Sequence, residues 1–274
     1  MNSLSLSGKS WILKQFNQED LNFIKDNFSL DEITSKLLSI RKIKKEEINS
    51  FLNPLIKNFL PNPNILLDME KATSRTFQTI LSGDKIGIFG DYDVDGVTSC
   101  TILNESLGAL GWQTATYLPH RMDEGYGLSL EAAQKCLAEL KPQLVLAVDC
   151  GSTNIESIDW INEQNVDVLV LDHHQVPQPV PAACALINPQ LATEDEPDFR
   201  ELCSAGLAFK LLHAIVKEGR AQGISEMESY DARPFLDLVA LGTIADLVPL
   251  VRENRMLAVN GLKQLNATNR LGLR

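Results

Sequence analysis

Three short apolar runs each end directly on aspartate, and this repetition restricts the chain more than any other feature. KIGIFG at 85–90 leads into Asp91-Tyr92-Asp93-Val94-Asp95-Gly96, LVLAV at 144–148 into Asp149, and VLVL at 168–171 into Asp172-His173-His174. Unbroken apolar runs of this length suit strands buried on both faces. Helical spacing fills the intervals. It runs over 70–82, stopped by Gly83, over 97–110, and over 129–140 with Ser129 as N-cap; a further helix opens with Thr153 and Glu156, spaced as a capping box. Another strand, TATYLP, is expected at 114–119. Such alternation predicts an α/β fold, a doubly wound and mostly parallel sheet. Helical patterns at 204–217 and 234–247 follow, joined by a polar connector at 218–231, and no closing element is signalled in 266–274.

Ahead of the sheet, 17–67 reads as a small helical region. Ile33, Leu37, Leu38 and Ile40 recur on one face, and Pro54, Pro61 and Pro63 interrupt the pattern. The expected organisation is a helical region at 1–68 and the α/β domain at 69–274. The basic stretch Arg41, Lys42, Lys44, Lys45 is read as a solvated helix end.

Composition excludes several classes. With 44 % hydrophobic and 22 % charged residues the chain can bury a substantial core. It has no apolar run of membrane-spanning length and no leader-like start, so a cytoplasmic protein without membrane contact is expected. A net charge of −11 argues against a broad nucleic-acid-binding surface, while local patches stay open. Five cysteines without a CxxC pair are read as buried free thiols.

Ligands of parallel α/β sheets bind beyond the carboxyl ends of the strands. Those ends carry Asp91, Asp93, Asp95, Asp149, Asp172, His173 and His174. So many carboxylates cannot share one crevice unpaired, because desolvating each costs about several kcal/mol. Cations resolve the conflict, and mixed Asp and His donors suit Mn²⁺, Mg²⁺ or Zn²⁺, with a shared carboxylate able to bridge two ions. The chemistry expected there is metal-assisted hydrolysis of a phosphodiester. An EF-hand reading of D-x-D-x-D-G fails, since the twelfth loop position is Ile102 instead of Glu and an apolar strand precedes the loop. Asp246, among the apolar residues of 238–250, is a further metal candidate against a capping or salt-bridge role. His213 is read as a satisfied structural histidine, and His120 is left undecided. GxSxG, Walker A and GxGxxG patterns are all absent, so triad-hydrolase, P-loop and dinucleotide readings lack their required parts.

GDYDVDG at 90–96, VDCG at 148–151, LDHH at 171–174 and GTIADLVPL at 242–250 resemble the four ordered motifs of the DHH phosphoesterase superfamily. FLNP at 51–54, LDMEKA at 67–72, EGYGL at 124–128, INPQ at 187–190 and CSAGLAFKL at 203–211 resemble its single-strand-specific exonuclease branch in particular. The resemblance implies that Asp93, Asp95, Asp149, His173 and Asp246 hold two Mn²⁺ or Mg²⁺ ions, with Asp149 as the bridge. It implies that His174 contacts the scissile phosphate and that Asp91 and Asp172 orient their neighbours. Many members carry a metal-binding His four residues before the first ligating Asp, where this chain has Phe89. The implied activity is 5′→3′ hydrolysis of single-stranded DNA in repair and recombination, with a helicase and a single-strand-binding protein as further partners. Related proteins continue into a DHH-associated domain and an OB-type domain, so the chain looks like an N-terminal half. Two alternatives stay open: a DHH phosphodiesterase acting on short oligonucleotides, cyclic dinucleotides or pyrophosphate, and a catalytically weak binding module.

Overall fold

The computed structural model describes residues 6–10, 12, 14–191 and 200–274. Contacts divide it into two compact units, 1–53 and 54–274. The division falls ahead of the expected 68/69 boundary because the intervening segment is bonded into the larger unit. Pro61 O accepts from Lys210 Nζ at 2.9 Å, and Asp68 Oδ2 accepts from the Leu186 amide at 3.0 Å.

The first unit contains α1 (Gln18–Phe28), α2 (Glu32–Ile40) and α3 (Ile48–Leu52). Asn17 and Asp31 cap the first two through side-chain oxygens. Ile24, Leu38 and Ile48 form its core. The expected apolar face is corrected here: Ile33 is 73 % and Leu37 44 % exposed, whereas Leu38 is buried. The inward stripe is Ser35, Leu38 and Ser39, at helical spacing. Counting apolar residues misses a face built partly of serines.

In the larger unit, β1 (Ile86–Gly90), β2 (Thr114–Tyr117), β3 (Leu144–Val148), β4 (Asp167–Leu171) and β5 (Ala185–Ile187) form one sheet of order β2-β1-β3-β4-β5. Every pairing is parallel. Side-chain alternation sends Ile86, Ile88, Leu144, Leu146, Val148, Leu169 and Leu171 to one core and Phe89, Val145, Ala147, Val168 and Val170 to the other. Both faces are covered, which is why these strands read as unbroken apolar runs. The first core receives α5 (Met69–Leu81), α6 (Val94–Ala109), α9 (Ser204–Ala221) and α11 (Leu236–Ala245); the second receives α7 (Leu130–Leu140) and α8 (Ile155–Glu163). The remaining helices are α4 (Ile56–Phe59), α10 (Ser225–Glu228) and α12 (Arg252–Leu265).

Ser129 caps α7 as expected, accepting from the Ala132 amide at 3.1 Å. The capping box at Thr153 is not formed. Asn154 precedes α8 instead, and its Oδ1 turns back to the Gly151 amide at 3.2 Å. No helix among the described residues is long and apolar enough to cross a membrane.

The strand order fixes where a ligand can sit. β1 and β3 are neighbours, and the helices that follow them, α6 and α8, pack on opposite faces of the sheet, so the loops after the two strands part and open a crevice. Asp91 follows β1 and Asp149 follows β3.

Candidate metal centre

Helix α6 begins three residues earlier than its apolar spacing indicates, because Asp93 is its N-cap and accepts the Gly96 amide at 3.0 Å. Asp95 is thereby turned inward in the first helical turn and buried. Its Oδ2 accepts the Ser204 amide at 2.7 Å and its Oδ1 the Ala205 amide at 2.8 Å, so the N-terminus of α9 seats this carboxylate. Gly96 is required locally: a Cβ there would lie 2.7 Å from the Asp91 carbonyl carbon and 2.8 Å from its amide nitrogen. Gly242 of α11 is required as well, since its Cβ would lie 2.8 Å from Asp95 Oδ1.

Asp149 follows β3 in the left-handed region, at φ 61°, which aspartate tolerates better than most residues. Its Oδ1 accepts the Ser204 hydroxyl at 3.0 Å. Asp246 is the C-cap of α11, one residue beyond the helix in which the sequence pattern placed it. From the loop after β4, His173 directs Nε2 at three carboxylates: Asp149 Oδ1 at 3.5 Å, Asp246 Oδ2 at 3.6 Å and Asp95 Oδ2 at 3.8 Å.

These spacings are longer than good hydrogen bonds. They match donors sharing one ion, since bonds near 2.1 Å in an octahedron separate neighbouring donors by about 3 Å and opposite ones by about 4 Å. His173 Nε2 and Asp149 Oδ2 are buried without a hydrogen-bond partner among the described residues, and an orphaned polar atom of this kind costs about 1–3 kcal/mol. Potential ligand atoms gather in three overlapping sets, each within 4.8 Å: Asp95, His173 and Asp246; Asp149, His173 and His174; Asp91, Asp93 and Asp149. Burial, reinforced by Asp95 and Asp93, pushes the Asp149 carboxyl far above the usual carboxylate range. Burial also raises Asp91, and it raises Asp246 despite the opposing effect of His173. A cluster that resists its own ionisation, with unpartnered donors facing inward, fits divalent cations.

Asp172 differs from these carboxylates. Burial opposes its ionisation, yet hydrogen bonds from His174 and Ser152 prevail and hold it at about 2. Its Oδ1 lies 2.7 Å from His174 Nδ1, and its Oδ2 accepts the Ser152 amide at 3.0 Å. The same hydrogen bond to Asp172 raises the His174 pKa. Asn188, buried, donates to Ser152 Oγ at 2.8 Å and to the His174 carbonyl at 2.9 Å. The His174 ring is partly exposed, and its Nε2 lies 3.5 Å from the Tyr126 hydroxyl.

Asp91, Asp93, Asp95, Asp149, Asp172, His173, His174 and Asp246 therefore meet in one crevice. Asp91 comes closer to the donor sets than a purely orienting residue needs to, and Phe89 supplies no donor: it is buried in the second core, stacked on Tyr117 at 5.7 Å. His120 pairs with Asp123 at 2.8 Å. His213 is corrected, because its Nδ1 is buried without a hydrogen-bond partner among the described residues and burial lowers its pKa to about 4. Sequence reasoning missed Ser152, Asn188 and the Ser204 and Ala205 amides, whose signal was their place directly after VDCG, in INPQ and at the CSAG helix start respectively.

A cluster of this composition at the switch point of a parallel sheet defines a class. The chain belongs to the DHH family: the model described as "DHH family, N-terminal domain" matches residues 85–243. Within that family it is similar to the single-stranded-DNA-specific exonuclease RecJ of Bacillus subtilis, 34 % identical over 96 % of this chain and 32 % of the relative. RecJ of Haemophilus influenzae is 39 % identical over 81 % of this chain and 39 % of the relative. Among solved structures, RecJ of Thermus thermophilus in complex with Mn²⁺ aligns with a TM-score of 0.76 at 28 % identity, over 96 % of this chain and 36 % of that one. The chain thus spans between 32 % and 39 % of these relatives' length.

Proposed function

We propose that this chain is the phosphodiester-hydrolysing core of a RecJ-type exonuclease, removing nucleotides from single-stranded DNA in the 5′→3′ direction during repair and recombination. The observation that carries the reading is the set of three carboxylates around His173 Nε2 at 3.5–3.8 Å, in the β1/β3 crevice. Asp95, His173 and Asp246 would hold one ion and Asp91, Asp93 and Asp149 a second, with Asp149 close enough to His173 to serve both. Bound Mn²⁺ or Mg²⁺ would supply Lewis acidity at the phosphoryl group and acidify water. Similarity to RecJ crystallised with Mn²⁺ supports that choice of ion.

The protein's own residues have separate tasks. The α9 amides and Ser204 hydroxyl keep Asp95 and Asp149 oriented, so that their charges converge without rearrangement. Asp172 fixes the His174 ring through Nδ1 and favours its protonated form, leaving Nε2–H at the crevice mouth to donate to a phosphoryl oxygen.

The test is digestion of 5′- and 3′-labelled single-stranded and duplex DNA with Mn²⁺, by the wild type and by Asp149→Asn. Stepwise release from the 5′ end of single strands, lost in the variant, supports the reading. Equal rates for both proteins, or turnover of pyrophosphate or dinucleotides without DNA cleavage, would overturn it.

A further inference from the structure

Glu124 contributes nothing to the donor sets, yet its side chain is only 7 % exposed. Its carboxylate accepts hydrogen bonds from three parts of the fold. The Tyr117 hydroxyl at the end of β2 donates at 2.9 Å, the His120 amide at 2.8 Å, and Lys135 Nζ of α7 at 2.9 Å. Its own amide donates to the His120 carbonyl at 2.9 Å. One side chain therefore closes segment 118–128 on itself and ties it to a strand and a helix. Tyr117 stacks in turn on Phe89, so the tie is referenced to the strand that delivers Asp91.

The far side of this segment faces the chemistry. Gly125 and Gly127, at φ 79° and 70°, turn the chain back and place Tyr126 between them. The Tyr126 ring meets Tyr92 edge-on at 5.9 Å, and its hydroxyl reaches His174. The Arg121 guanidinium lies over the Tyr92 ring at 5.2 Å. A hydroxyl thus stands beside His174 at the rim of an otherwise acidic crevice, and the Arg121 cation is linked to it through the Tyr92 and Tyr126 rings. Both ride on a stretch anchored by Pro119 and Leu128 only at its ends, as Leu118, Met122 and Tyr126 are all exposed.

We infer that Glu124 is a positioning residue for the nucleic-acid phosphate: by bonding Tyr117, His120 and Lys135 it holds segment 118–128 where Tyr126 and Arg121 meet the phosphate that His174 contacts. The inference rests on the phosphodiesterase reading above. Charge-assisted bonds from a buried carboxylate to a backbone amide and an ammonium are strong enough to fix a short loop. The groups so placed contact the phosphate in the ground state and the transition state alike, so losing them raises KM more than it lowers kcat.

The experiment uses the full chain as wild type, Glu124→Ala, Glu124→Gln and Glu124→Ala with Tyr126→Phe, read by hydrogen exchange and by single-strand digestion kinetics with Mn²⁺. Glu124→Ala should exchange about tenfold faster within 118–128 and not elsewhere, with KM raised about tenfold and kcat within about twofold. Glu124→Gln keeps an acceptor for the His120 amide and should return KM to within about threefold of wild type. Adding Tyr126→Phe to Glu124→Ala should change KM by less than about twofold, because the first change has already withdrawn the hydroxyl. An unchanged KM in Glu124→Ala, or exchange that rises evenly along the chain, overturns the inference. Should Glu124→Ala fail to fold, Lys135→Met, which removes one of the three donors to Glu124, decides in its place: faster exchange confined to 118–128 with raised KM supports the inference, and wild-type behaviour in both overturns it. Absence of DNA cleavage by the wild type overturns the phosphodiesterase reading instead, and the exchange comparison then judges the hold on the segment separately.

Discussion

Replacing Asp149 by asparagine should stabilise the metal-free protein while destroying its activity. The carboxyl is buried beside Asp95 and Asp93, and its pKa is driven far above the ordinary 3.8. At pH 7 the folded protein keeps it neutral although the unfolded chain would ionise it, a penalty of about 3 pH units at about 1.4 kcal/mol each, or about 4 kcal/mol. The sign follows from the raised folded pKa. Stability is undiminished below the unfolded value and falls as pH rises from there towards the folded one. Asparagine removes the charge, keeps an acceptor for the Ser204 hydroxyl and tolerates φ 61°. Urea unfolding in EDTA at pH 5 and pH 8 should show the wild type losing up to about 4 kcal/mol more than the variant across that interval. With Mn²⁺ at about a hundredfold excess over its dissociation constant the wild type should regain about 2.7 kcal/mol, and the variant less. A variant less stable than the wild type in EDTA at pH 8 would refute the reasoning, because the carboxylate would then be a net stabiliser without its ion.

Gly96→Ala should cost about 2 kcal/mol or more, because the added carbon meets backbone atoms of Asp91, which cannot give way as a side chain would; the urea midpoint and single-strand digestion should fall together. Lys210→Met, which leaves Glu253 buried without its ammonium partner at 2.9 Å, should cost about 3–5 kcal/mol in thermal unfolding, whereas Lys210→Met with Glu253→Leu should recover most of it. Asp172→Asn should lower kcat/KM about 10- to 100-fold by releasing the His174 ring. Since the Asp172 carboxyl is held at about 2, its contribution to stability is present above the ordinary 3.8 and lost as pH falls towards 2. Acid unfolding of the variant should accordingly be flatter between those values.

The α/β part of the fold was legible where one physical signal dominated. β1, β3 and β4 are buried on both faces and lie between helices, so apolar runs located them and the residue after each located Asp91, Asp149 and Asp172. The signal failed where two demands met in one residue. Asp93 is both a donor at the crevice and the N-cap of α6, and reading only the first role set the helix start too late. β5 is three residues long and preceded by Pro179 and Pro181, too short for any periodicity to register. Helix α12 escaped notice because its inward face mixes buried Glu253 and Asn254 with Met256 and Leu257, and Gly261 packs against α11, so the apolar spacing is broken. Asp246 looked helical because its apolar neighbours continue the pattern, although Leu247 is 87 % exposed. The amides that seat Asp95 were invisible, since a backbone donor leaves no trace in residue identity.

Helix α9 behaves as a connecting rod. Its 18 residues extend about 27 Å; its first two amides end on Asp95, its middle is pinned by Lys210 to Glu253 of α12, and Gly219 near its other end fits against Met227 of α10. Any slide or roll of this rod carries a carboxylate of the crevice with it. A bulkier residue at Gly219, about 23 Å along the axis, would meet Met227 and press on that carboxylate from the far end of the helix.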